Sequence, residues 1–147
     1  MGVVVDAGRA GRADVRDALA GAGFVVEGFL DHAELPAQGE VWRPFIMSSA
    51  RPVKWVRHES DDHDARVDRL WHLVSRRNGT IDADGAVLLS LAQGSFGPLP
   101  WIRVRVGESL PRVAGFREFV ALSPTTWASS AVSEEEYATW ILADPLP

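Results

Sequence analysis

Trp101-Ile102-Arg103-Val104-Arg105-Val106 alternates strictly, with Ile102, Val104 and Val106 on one side and Trp101, Arg103 and Arg105 on the other. Successive side chains of an extended chain point to opposite faces, so this stretch reads as a strand with one face in a core. It is entered from a Gly/Pro loop at residues 93–100, and before that loop lies another extended run, residues 86–92. There Val87-Leu88-Leu89 does not alternate, as expected of a central strand covered on both faces. Residues 80–83 read as the first arm of a hairpin that turns at Asp84-Gly85.

Further out, residues 24–30 and 116–122 carry the β-branched and aromatic side chains of strands. Residues 41–47 and 53–57 read as two short strands, the first an edge strand or irregular because it contains Pro44. Helices are expected at residues 12–22, with Val15 and Leu19 four apart and Gly23 as a stop, and at residues 61–77. In the second, Val67, Leu70, Trp71 and Val74 recur at helical spacing and Asn78-Gly79 supplies a left-handed end. A last helix is predicted after Ser133, where Ser133 and Glu136 have the spacing of a capping box and Tyr137, Trp140 and Ile141 share a face. Strands outnumber helices and follow one another through turns. The reading is an α+β fold, residues 1–147 as a single domain, mainly antiparallel sheet with two or three helices packed on it, and residues 1–11 irregular.

Composition narrows the function. At 147 residues the chain is long enough to bury a core without staples. Cysteine is absent, which removes disulfides, thiolate metal sites and a cysteine nucleophile. A reducing cytoplasm is the simplest expectation, with neither a basic apolar leader nor an apolar run that would cross a bilayer. The formal net charge of −5 argues against a nucleic-acid backbone as the main partner. Acidity gathers at the ends: residues 1–40 hold seven acids against three arginines, and residues 121–147 hold four acids and no basic residue.

The densest ionisable cluster is His58-Glu59-Ser60-Asp61-Asp62-His63-Asp64. His58 and Glu59 open like the zinc-protease pattern His-Glu-x-x-His, but His63 follows His58 by five residues, which on a helix places it about 140° off the same face. A looser metal site from His58, Asp62 and His63, with His72 nearby, would suit a small metal-assisted hydrolase. The simpler reading is a helix start: Ser60 or Asp61 caps the helix, and Asp61, Asp62 and Asp64 favour its positive end. On that reading no metal or other cofactor is needed.

Other chemical signals are incomplete. Val3-Val4-Val5-Asp6-Ala7-Gly8-Arg9-Ala10-Gly11 is similar to the first turn of a dinucleotide fold, but Asp6 stands where the tight turn needs glycine. Asp82-Ala83-Asp84-Gly85 resembles the Asp-x-Asp-Gly nucleophile motif of haloacid-dehalogenase-type phosphatases. Ala86 replaces the usual threonine, and no lysine lies downstream to hold a phosphate. Ser95 and Ser123 lack the glycine-flanked elbow of a serine nucleophile.

The aromatic and basic residues say more. Trp55 and Arg57 share one face of a predicted strand, as Trp101, Arg103 and Arg105 share one face of another. Tryptophan and arginine are enriched at protein–protein hot spots, and such faces also stack bases in single-stranded nucleic-acid binders. The acidic total favours the protein partner. The expectation is a non-enzymatic interaction protein, inhibitor- or immunity-like, that binds a basic enzyme surface or a second copy of itself, with nucleic acid the weaker alternative and no membrane partner.

Overall fold

The alternation at residues 101–106 builds β4 (Trp101–Val106), which sits between β1 (Phe24–Leu30) and β3 (Ala86–Ser90) in an antiparallel sheet. The computed structural model describes residues 7–30, 34–91 and 99–147, and the side chains of residues 7–10 are not included. The sheet continues through β5 (Phe119–Leu122), β6 (Ser129–Glu134) and β7 (Ala138–Asp144) to β2 (Lys54–Arg57), giving the order β1-β4-β3-β5-β6-β7-β2. Every described pairing is antiparallel. With three helices against this sheet, the fold is α+β.

Two cores form because the central strands are apolar on both faces. One face carries Val87, Leu89, Ile102, Val104, Phe119, Val132 and Ile141, covered by Val15 and Leu19 of α1 (Ala7–Gly21) and Val67, Trp71 and Val74 of α3 (His63–Asn78). The opposite face carries Leu88, Trp101, Val120, Leu122, Ala131 and Leu142, covered by Val41, Trp42 and Phe45 of α2 (Gln38–Ile46). All of β3 is buried, as its unbroken apolar run predicts.

Several boundaries differ from the sequence reading. Residues 41–47 are not a strand: they belong almost wholly to α2, with Pro44 inside it. Proline there removes one helical hydrogen bond, but Val41, Trp42 and Phe45 still fall on one side and bury against the sheet, which outweighs the local preference in a helix of nine residues. The predicted last helix is the hairpin β6–β7. Glu135 N–H bonds the Ala138 carbonyl across its turn at 2.8 Å, so Ser133 and Glu136 cap nothing helical. Residues 80–83 form no strand; they are the connection out of α3, although the turn at Asp84-Gly85 is present. Residues 7–11 are helical rather than irregular, and residues 1–6 lie outside the described residues, as do residues 31–33 and most of the 93–100 loop. The strand expected at 116–122 begins only at Phe119, after a 3-10 turn at Ala114–Phe116.

α3 is tied down by a buried carboxylate. Asp68 Oδ1 accepts the backbone N–H of Val113 at 2.7 Å and of Ala114 at 2.8 Å, fixing the segment before β5 on the helix. Burial holds the Asp68 carboxyl above the ordinary aspartate range, while the two backbone bonds pull the other way. A raised folded value means the native state holds the proton more tightly than the unfolded chain. That contribution is present below the ordinary aspartate value and is lost as pH rises through the raised one. Asp68→Asn keeps an oxygen acceptor without the buried charge, so its stability relative to the wild type should improve from acid to neutral pH. Asp68→Ala strands one buried and one partly buried N–H group and should cost about 2–4 kcal/mol. Urea unfolding of both variants across pH checks this; equal losses for Asn and Ala would contradict it.

Candidate functional site

The expected binding residues fall at two ends of one sheet face. By register, Trp55 opposes Trp140 and Arg57 opposes Ala138, while Trp101 opposes Leu30 and Arg103 opposes Leu88. β4 and β2 are five strands apart in the sheet order, roughly 24 Å at the spacing of neighbouring strands. The structure therefore does not bring the five residues together.

At the β4 end, the Trp101 ring is buried under α2, and its Nε1–H donates to the Pro36 carbonyl at 2.9 Å. Arg103 donates to Glu27 at 3.1 Å, and Arg105 reaches Glu27 at 3.3 Å and Asp84 at 3.1 Å. The Arg103 guanidinium foremost holds the Glu27 carboxyl below its usual range. Backbone N–H of Ala86 and then Arg105 do the same for Asp84. An indole without an open face and two neutralised cations leave little to stack a base or grip a phosphate.

The β2 end is different. Among the described residues, β2 closes the sheet and pairs only with β7. Trp55 is 58% exposed on it, with half-buried Trp140 directly across, and Tyr137, in the turn just before β7, is 77% exposed. Trp55, Arg57, His58, Glu59, Glu136 and Tyr137 line one cleft of about 510 Å³. Arg57 lies 3.7 Å from Glu59, both well exposed, an arrangement that salt and solvent weaken. Further along the sheet, before β5, the Glu118 carboxyl stands above the usual range, through burial first and then the charges of Glu134 and Glu135. Glu136 and Tyr137 were not among the candidate binding residues of the sequence reading because they were assigned to a helix.

The acidic-histidine cluster is only partly assembled. The His58 and His63 rings come within 5.6 Å of each other. His58 Nε2 is 2.7 Å from the Glu135 carbonyl oxygen, which only accepts, so that nitrogen carries the proton. His63 is engaged at both nitrogens, by Asp64 at 2.7 Å and by the Thr139 hydroxyl at 2.9 Å. Asp62 stands in the left-handed region at φ 57° and begins α3 through its carbonyl, not its side chain. The side-chain cap expected from Ser60 or Asp61 is likewise not made: Ser60 N–H instead closes a turn onto the Arg57 carbonyl at 3.0 Å. Among the described residues, no three His, Asp or Glu side chains are placed to hold one metal ion. His72 lies a helical turn from Arg76 and packs beside it, and burial pushes its imidazole below the usual histidine value.

The Asp82-Ala83-Asp84-Gly85 stretch borders the most voluminous of the described concavities, about 950 Å³, together with Arg76, Thr125, Trp127 and Asp144. Its chemistry is spent locally. Ser123 Oγ–H donates to Asp82 at 2.6 Å, Thr125 adds a second hydroxyl at 3.2 Å, and Asp84 is held by Ala86 N–H and Arg105. Ser123 is thereby buried, its Oγ also accepting the Thr125 and Thr126 N–H groups of the turn, and is not presented as a nucleophile. Among the described residues, no helix is long and apolar enough to cross a membrane.

Comparisons with known protein families, with curated proteins and with solved structures find no match.

Proposed function

We propose that this chain is a non-enzymatic interaction protein, inhibitor- or immunity-like in manner, that docks a protein partner through the β2 end of its sheet. The observation that carries this reading is the cleft in which Trp55 and Tyr137 stand exposed beside the open edge of β2. Large aromatic rings left in water on rigid strands cost little conformational entropy to bury, which is why tryptophan, tyrosine and arginine dominate binding hot spots. On the same sheet face, the last turn of α2 leaves Ile46 and Met47 more than half exposed, adding apolar surface. The paired charges around Arg103 and Arg105 favour this end over the β4 end.

Tagged protein recovered from its source cells tests the proposal. Wild-type chain should retain a protein partner at near-equal amounts, and Trp55→Ala combined with Tyr137→Ala should lose it while melting as the wild type does. Both side chains are exposed, so the pair should shift stability by only about 0.5 kcal/mol. Retention that ignores both substitutions would remove the reading.

A further inference from the structure

We infer that the cleft between Trp55 and Tyr137 takes a cationic side chain, arginine above all, from a basic segment of the partner; this rests on the docking role proposed for that end of the sheet. The cleft combines two things a guanidinium needs. Exposed rings of Trp55 and Tyr137 offer π faces, and Glu59 and Glu136 supply carboxylates in the same lining. Arginine satisfies both, since its planar group stacks on a ring while its edge donates paired hydrogen bonds to a carboxylate.

The surroundings carry the same sign. Residues 121–147, which include the whole β6–β7 hairpin, contain no lysine, arginine or histidine, so this side of the cleft brings Glu136 and no cation. Within the cleft, Arg57 lies 3.7 Å from Glu59. The pair is long and open to solvent, so an incoming guanidinium can displace Arg57 from Glu59 at small cost. Arg57 is thus the cleft's own weak occupant. An anionic ligand would meet two carboxylates, Glu59 and Glu136, with Arg57 the one guanidinium in the lining and the His58 Nε2–H already donated to the Glu135 carbonyl.

The probe is the capped tripeptide Gly-Arg-Gly, titrated into isotope-labelled protein beside its Gly-Glu-Gly counterpart and followed by NMR. Saturable shifts are expected at the Trp55 indole N–H, Tyr137 and Glu59 with the arginine peptide, weakening as salt rises. Glu59→Gln with Glu136→Gln should weaken binding about fivefold, the upper end for one exposed ion pair. Arg57→Gln should tighten it by a few-fold, because Glu59 is released. No saturable shift in the cleft, preference for the glutamate peptide, or weaker binding on Arg57→Gln would each overturn the inference. Concentration-dependent dimerisation abolished by Trp55→Ala would also overturn it, in favour of a second copy. If these arms fail while the partner from cells still depends on Trp55 and Tyr137, the docking role stands and only the cation is wrong. If that dependence fails too, both fall.

Discussion

Trp71→Ala should destabilise the protein by about 3–5 kcal/mol, a large share of the roughly 5–15 kcal/mol that holds a typical domain together. Trp71 is fully buried on α3 at the centre of the larger core. Its ring meets Phe24 of β1 edge-on at 6.3 Å and Phe119 of β5 at 5.5 Å, so one side chain joins the helix to two separate strands. Its Nε1–H donates to Ser130 Oγ at 3.1 Å, and Ser130 in turn shares a hydrogen bond with Ser75 at 2.8 Å. Alanine would leave a cavity between strands that pair with their own neighbours and cannot collapse onto the gap. It would also strip one partner from a buried hydroxyl pair. Trp71→Phe keeps much of the ring contact and should cost less, about 2 kcal/mol, from lost volume and the unmade bond to Ser130. Urea unfolding followed by circular dichroism decides it, and an alanine variant within 1 kcal/mol of wild type would show that the ring contacts are not what joins the layers.

How much of this was legible in the sequence depends on whether an element had a solvent face. β4 and α3 expose one side, so their periods of two and about 3.6 stand out in Trp101–Val106 and in Val67, Trp71 and Val74. β7 is covered on both faces, Ile141 by the larger core and Leu142 by the smaller one, and so shows no alternation to read. Tyr137, Trp140 and Ile141 then mimic a helical stripe although Tyr137 lies in a turn and the other two point to opposite faces. α2 failed in the opposite sense: two turns carrying Pro44 give too little periodicity to outweigh a β-rich composition. The candidate site followed the same logic. Trp55 and Arg57 were visible as a pair because residues i and i+2 share a strand face, but nothing local distinguishes an exposed Trp55 from a buried Trp101. That difference is made by long-range packing: Trp101 joins the core that α2 covers and bonds the Pro36 carbonyl, whereas Trp55 stays exposed. Glu136 and Tyr137 enter the cleft only once the β6–β7 turn places them beside β2, a contact set by register rather than by sequence neighbours.

Gly85→Ala should be nearly as damaging as the loss of Trp71, and Gly79→Ala far less, although both glycines have left-handed backbones at φ 91° and 87°. The shared part is conformational: an L side chain in that region costs about 1–2 kcal/mol. The difference is space. A methyl group on Gly79 would meet the Ala128 methyl at 3.9 Å, ordinary contact, so the helix stop should survive with only the conformational cost. A methyl group on Gly85 would overlap the Val106 carbonyl oxygen, with Arg105 Cγ close behind at 3.4 Å. Backbone cannot rotate away as a side chain does, so the turn or the end of β4 has to move. The same glycine receives the Val106 N–H at 2.8 Å through its carbonyl and donates its own N–H to the Asp82 carbonyl at 2.8 Å, and any movement strains both. Overlap adds about 1–3 kcal/mol to the conformational cost, for a total of about 2–5 kcal/mol. Hydrogen exchange supplies a local readout: in Gly85→Ala the Val106 amide should lose protection before the β6–β7 hairpin does. Equal unfolding free energies for the two alanine variants would mean that the close approach of Gly85 to β4 does not set the turn.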